Sequence, residues 1–381
     1  MASNTVGAWI DVLHARYPPS RAEPWDNVGL QVGDPDWPVE RVLVSLDVTA
    51  AVLDEAADGA PTLLVAHHPL LFRPVTNLTP ASPAAALALQ AASSRVAVAA
   101  AHTNLDVATD GTGTCQPVAD LLELRDVRPL TTARDESSDV RLVVFVPAES
   151  LDAVIDAMSA AGAGVIGDYE RCTFRVAGTG TFRPGVAADP YRGEVGRDAR
   201  VDEFRLETAV ATRDLAGVIT AMQEAHPYEE VAHDVYPLAA APRPGIGLVG
   251  HLPDTMTLGA MSIRIRDDLP SPHLRTAGDR ERPVTTVAIV GGAGDSMIDA
   301  AIAAGAQVLV TGDLRHHVTL DALQQGLALI DAGHHATEWA AMARVVDALA
   351  ADGRRQGLQA TVLASRTPTD PWAADVPDSW S

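Results

Sequence analysis

The run Leu63-Leu64-Val65-Ala66 is short and apolar, it is closed by His67-His68-Pro69, and the chain repeats endings of this kind. Apolar runs of about four to eight residues bounded by turn formers read as buried strands. Val96-Ala97-Val98-Ala99-Ala100-Ala101 stops at His102-Thr103-Asn104-Leu105-Asp106, Val308-Leu309-Val310 at Thr311-Gly312-Asp313, and Leu327-Ala328-Leu329-Ile330-Asp331 at Ala332-Gly333-His334-His335. Helix-like stretches follow these runs, near 84–92, at 296–304 and from about His334. Strand alternating with helix is the pattern of a parallel α/β sheet. In such sheets the chemistry collects beyond the carboxyl ends of the strands, so the repeated endings predict one site.

Composition narrows what that site can be. All 28 basic residues are arginine, which excludes a Schiff-base lysine, a lysine general base and the usual lysine-containing P-loop. A formal charge of -22 disfavours a phosphate-tracking surface, and no stable nucleic-acid partner is expected. Two cysteines, Cys115 and Cys172, exclude a disulfide framework and a thiolate metal site. No run reaches the roughly 18 apolar residues of a membrane span, and Met1-Ala2-Ser3-Asn4-Thr5 lacks the basic start of a signal peptide. The expectation is a cytoplasmic globular protein with no membrane partner.

The texture changes near Ser137. Strand at 141–147, helix at 150–161, short β segments broken by Gly178 and Gly180 within 169–182, strand at 204–211, helix at 214–225 and strand at 231–238 suit a small ferredoxin-like α+β domain. Ala239-Ala240-Ala241-Pro242-Arg243-Pro244 marks its exit, and the parallel pattern then resumes. The expected organisation is an α/β core at 1–134 and 241–366, an inserted domain at 135–240, and a loose tail at 367–381. Earlier, a helix at 7–17 precedes a turn-rich loop, 22–30, that carries Trp25 and reads as a lid or a simple connection.

Three His-His pairs, His67-His68, His316-His317 and His334-His335, each follow a strand signal. Any one pair alone is more often ordinary hydrogen-bonded or surface histidine; three pairs with Asp106 at strand ends shift the balance to a metal site. His334 and Glu338 stand four apart and share a helix face. Adjacent histidines on a continuing strand point to opposite faces, so His67 and His68 can serve one site only if the chain turns, and Pro69 supplies the turn. His67, His68, Asp106, His334 and Glu338 exceed one tetrahedral ion's needs and suit two divalent ions with a bridging carboxylate. Imidazole with carboxylate accepts zinc, iron, manganese or nickel.

Other motifs carry less. Gly291-Gly292-Ala293-Gly294 resembles a phosphate-cradling turn but lacks the full fingerprint, so a plain strand-to-helix turn is the stronger reading. Asp313 suits either orienting a ligand or capping a helix. In His226-Pro227-Tyr228-Glu229-Glu230 the proline points to a helix stop rather than a metal site.

Pro24-Trp25-Asp26-Asn27-Val28-Gly29-Leu30, Ala66-His67-His68-Pro69-Leu70, His102-Thr103-Asn104-Leu105-Asp106, Thr311-Gly312-Asp313 and Asp331-Ala332-Gly333-His334-His335-Ala336-Thr337-Glu338 resemble the signature blocks of the Nif-three-like dinuclear metal-centre family, often labelled GTP cyclohydrolase I type 2. The middle segment, with Cys172-Thr173-Phe174 and His226-Pro227-Tyr228-Glu229-Glu230, resembles the PII/CutA-like insert of longer bacterial members. The resemblance implies a toroidal homohexamer with metal pairs facing an internal cavity. It also implies ligands at His67, His68, Asp106, His334 and Glu338. Two departures stand out: Asp110-Gly111-Thr112-Gly113-Thr114 replaces a Gly-Val-Asn-Asp-like run, and His316 stands where relatives carry tyrosine.

The function expected is a dinuclear metal-dependent hydrolase acting on a purine-nucleotide ring or a phosphoester, with His102 or His317 moving protons. The competing expectation is a non-enzymatic metal-binding, metal-delivery or regulatory assembly protein.

Overall fold

The computed structural model describes residues 4–133, 140–167, 169–238, 243–269 and 273–372. Two compact units emerge, Met1–Thr132 with Pro244–Ser381, and Ala133–Arg243.

The first unit holds two sheets. In one, Ala97–Ala100, Thr62–Ala66, Arg41–Ser45 and Thr361–Ala364 run parallel in that order, with Gly29–Val32 antiparallel on the edge beside Ala97–Ala100. The parallel strands are the apolar ones, because both faces of this sheet are covered and each side chain has somewhere to go. Leu43 and Leu64 pack on one side with Val52, Leu53 and Ala91, and Val42, Val44, Leu63 and Val65 on the other with Trp9, Leu13 and Val345. Leu63 and Leu64 are fully buried, each worth about 2 kcal/mol of apolar transfer. The second sheet runs Arg275–Ala277, Ala328–Asp331, Val308–Gly312, Pro283–Ala293, Leu248–Thr257 and Arg125–Pro129. Its middle three strands are parallel and its flanks antiparallel.

The long helix His334–Arg355 buries Ala341, Met342, Val345 and Leu349 against Trp9 and Val12 of the helix Val6–Arg16. Gly353 makes this packing possible, since a Cβ there would stand 2.2 Å from the Trp9 ring. No described helix is long and apolar enough to cross a membrane.

The middle unit follows strand, helix, strand, strand, helix, strand: Val140–Pro147, Leu151–Ala160, Thr173–Phe182, Ala199–Val210, Leu215–Ala225 and His233–Pro237. Its antiparallel sheet runs His233–Pro237, Val140–Pro147, Ala199–Val210, Thr173–Phe182, the ferredoxin-like plan. Leu142, Val144, Val154, Met158, Leu206, Val218 and Met222 form its core.

Several elements differ from expectation. Thr173–Phe182 is one unbroken strand despite Gly178 and Gly180, held by ten consecutive pairs with Ala199–Val210. Gly180 has a packing reason to be there, because the Glu203 carboxylate lies over its Cα. Gly29–Val32 is an edge strand where the sequence reads as loop, and Arg125–Pro129 pairs although mostly exposed. Of the expected tail, Thr367 is anchored, its N–H and hydroxyl donating to Glu55 at 3.2 and 2.7 Å; residues 373–381 lie outside the described residues, as do Ala239–Pro242 of the domain exit when counted as residues 239–242.

Candidate metal centre

The amides of His67 and His68 both donate to the neighbouring Arg41–Ser45 strand and its extension, to Ser45 and Leu46 carbonyls at 3.0 and 2.9 Å. Consecutive amides of a regular strand point opposite ways, so the pleat is broken here. The two rings come together, centroids 4.9 Å apart.

Each of four imidazoles is pinned through Nδ1. His67 meets the Ala101 carbonyl at 2.9 Å, His68 meets Asp47 at 2.7 Å, His102 meets Asp26 at 2.8 Å and His334 meets Asp313 at 2.7 Å. A hydrogen bond donated by Nδ1–H leaves the Nε2 lone pair free, and this is how proteins orient metal-binding histidines. The free nitrogens converge. His67 Nε2 lies 3.6 Å from both Asp106 Oδ1 and Glu338 Oε1, while His68 and His334 Nε2 lie 3.1 and 3.2 Å from Glu338 Oε2. Donor atoms of His67, His68 and His102 lie within 4.8 Å of one another, and so do those of His68, His334 and Glu338.

The glycine run at the end of the strand Pro283–Ala293 packs against this cluster. Strand geometry continues through Ala293, the Gly292 N–H donates to Thr337 Oγ1 at 3.0 Å, and a Cβ on Gly292 would stand 2.2 Å from Glu338 Oε1. Gly291 is similarly close to Thr114, whose hydroxyl donates to Asp106 at 2.6 Å.

Electrostatics favour positive charge at the centre. Burial lowers the pKa of His68, yet Asp47 and Glu338 outweigh it and push it up to about 10. Burial likewise opposes protonation of His334, and Glu338 with Asp313 pushes it up to about 9. Burial would raise Glu338, but His67, His334 and His68 hold it well below the usual range. Burial and the Glu338 charge together raise Asp106. Glu338 thus draws protons onto the imidazoles around it.

The donor set fits divalent ions on a direct observation: His67 Nε2 is buried without a hydrogen-bond partner, a costly state unless another group completes it, and the buried Glu338 Oε2 faces only the ring nitrogens of His68 and His334. His67, His68, Asp106, His334 and Glu338 are all brought together. His102, read from sequence as a proton carrier, joins the same donors. Its spacing to Asp106 repeats that of His334 to Glu338, a signal that could have placed it among them. His317 lies exposed in the first turn of His316–Gln324, its ring 5.2 Å from His316, and neither metal-competent group of described residues includes it. The orienting residues Asp26 and Asp47 were not singled out in the sequence. His335 stacks on Trp339, centroids 5.6 Å apart.

Fold and site together define an α/β protein with a histidine-carboxylate cluster at the ends of its parallel strands. The chain belongs to the Duf34/NIF3 (NGG1p interacting factor 3) family, which matches residues 4–371. It is 40% identical over 338 residues to the GTP cyclohydrolase 1 type 2 homolog of Bacillus subtilis, covering 88% of this chain and 90% of that one. It is 38% identical over 367 residues to the protein of that name in Mycobacterium leprae, covering 95% and 94%. Among solved structures it resembles a Bacillus cereus protein related to NIF3, at 36% identity, TM-score 0.66 and coverage of 98% and 100%. The Staphylococcus aureus protein SA1388 superposes with TM-score 0.72 at 28% identity, covering 98% and 99%.

Proposed function

We propose that this protein is a dinuclear metal-dependent hydrolase of the GTP cyclohydrolase type 2-like kind, acting in the cytoplasm on a small nucleotide. The observation that carries the reading is the buried, unpartnered His67 Nε2, which with the ring nitrogens of His68 and His334 converges on the buried Glu338 carboxylate. His67, His68, His102, Asp106, His334 and Glu338 would hold two divalent ions, zinc, iron, manganese or nickel; Glu338 turns Oε1 toward His67 and Oε2 toward His68 and His334. When bound, the ions supply Lewis acidity toward a water and a substrate oxygen or ring carbon.

The chain's own residues supply the rest. Asp26, Asp47 and Asp313 hold three rings in one tautomer, so the donors need no reorganisation. Trp25 and Phe72 stand beside His102, 6.2 and 6.3 Å between centroids, with 57% and 45% of their surfaces exposed. Leu71 ties their loops, its carbonyl accepting from Asn27 Nδ2 at 2.5 Å and its amide donating to Gln31 at 3.0 Å. Two fixed, exposed rings at the mouth favour a flat heterocycle over an open-chain phosphoester. On the family resemblance, the assembly is a toroidal homohexamer with its metal pairs facing a cavity.

The test is to quantify metal per chain, then assay GTP and phosphoesters with His67→Ala and Glu338→Ala as controls. Metal-dependent turnover lost in both variants is expected. Turnover that survives both sinks the enzyme reading as placed at these residues, and metal bound without turnover of either substrate class assigns the protein to metal storage or delivery.

A further inference from the structure

The middle unit contains a cleft of 450 Å³ in which the proposed reaction has no part. Its base is Glu203, 8% exposed, which pairs with Gly178 on the neighbouring strand and reaches its carboxylate over Gly180. The Tyr228 hydroxyl donates to Glu203 Oε1 at 2.7 Å. The other oxygen, Oε2, lies so close over Gly180 that a Cβ there would stand 2.1 Å away. A phenol is a weak answer to a buried carboxylate, whose desolvation is costly unless a charge or several donors meet it.

Aromatic rings form the walls. Tyr191 and Tyr228 are 5.9 Å apart between centroids, Phe182 and Tyr228 6.4 Å, and Tyr191 remains 50% exposed. Glu229, which accepts the Asp189 N–H at 3.0 Å, and Glu230 add two more carboxylates; the Arg192 guanidinium is paired with Glu149 and lies 5.9 Å from the centre of the Tyr191 ring. The balance repels phosphates and carboxylates. A small organic cation meets both features: its charge answers Glu203, and aromatic faces attract cations by their quadrupole.

We propose that this cleft binds a small organic cation, an amine or amidine, with its charged group at Glu203 and its body against Tyr191, Tyr228 and Phe182. The site is separate from the metal cluster in sequence and in unit, so it stands or falls independently of the hydrolase reading.

Calorimetric titration of the full-length protein with benzamidinium tests it, using benzamide as the neutral isostere and benzoate and ATP as anionic probes. Benzamidinium is expected to bind about tenfold or more tightly than benzamide, with no uptake of benzoate or ATP. Glu203→Gln keeps the shape and an acceptor for Tyr228 and should erase that preference; Tyr191→Ala, at an exposed position, should weaken benzamidinium while leaving metal content unchanged. Equal binding of benzamidinium and benzamide, preference for an anion, or no binding at all overturns the proposal. Should Glu203→Gln fail to fold by circular dichroism, undiminished benzamidinium binding in Tyr191→Ala overturns it alone.

Discussion

The carboxylate of Asp47 accepts a 2.7 Å hydrogen bond from His68 Nδ1, and this decides which nitrogen of that ring faces Glu338. Removing the acceptor frees the ring to turn without deleting a donor. Asp47→Ala should weaken metal binding about 10–100-fold with the fold intact. Competition against a chelator reads the affinity; an unchanged value would show that Asp47 does not position the ring.

His102 and His317 separate two readings of the histidine pairs. His102→Ala removes a ring whose nitrogen groups with those of His67 and His68, and metal per chain should fall. His317→Ala alters an exposed side chain and should leave metal content as it was. Elemental analysis of both purified variants decides, and the reverse pattern would move the centre.

Gly292 and Gly333 both have positive φ, +63° and +86°, but only Gly292 has a neighbour in the way. Gly333→Ala should cost about 1 kcal/mol of backbone strain and keep the metal. Gly292→Ala adds a clash with Glu338 and should lose stability and metal together, by about 2–4 kcal/mol in denaturant unfolding. Equal effects in the two variants would show that the close approach to Glu338 does not matter.

His226 makes the middle unit sensitive to acid. Burial lowers its pKa below 6.5, more than the Phe145 carbonyl and Glu203 raise it. The neutral ring bonds the Phe145 carbonyl through Nε2 at 3.0 Å and accepts the Tyr228 N–H at Nδ1 at 3.1 Å. A histidine depressed by folding contributes its stability above the unfolded pKa and loses it as pH falls toward the folded value. Unfolding of the middle unit should therefore become easier below about pH 6.5, with His226→Gln flattening the dependence. A slope identical in wild type and variant would place the acid sensitivity elsewhere.

The parallel strands and their histidine endings were legible because Leu63–Val65 and Leu327–Ile330, as residues 63–65 and 327–330, are buried on both faces and so read as continuous apolar runs. Arg125–Pro129 was not, since an exposed strand at the flank of a sheet needs no apolar period. Asp26 and Asp47 are not legible in the sequence for a different reason. Each is a lone acid in a loop, and only the fold brings it 76 or 21 positions along the chain to its ring. Asp313 is legible because it closes a strand, and it holds the ring of His334 across 21 positions of chain.

Thr361–Ala364, the last strand among the described residues, closes the first sheet against Arg41–Ser45, one of the earliest. During synthesis the amides and carbonyls of Arg41–Ser45 must wait for that partner through about 300 residues, roughly 15–60 s at ordinary elongation rates. An unpaired apolar edge for that long is a template for pairing with a neighbouring nascent chain. The metal cluster is under the same schedule, with His67 waiting for Glu338, so the first third of the chain reaches its final partners only after residues some 270 positions downstream of His67 are made.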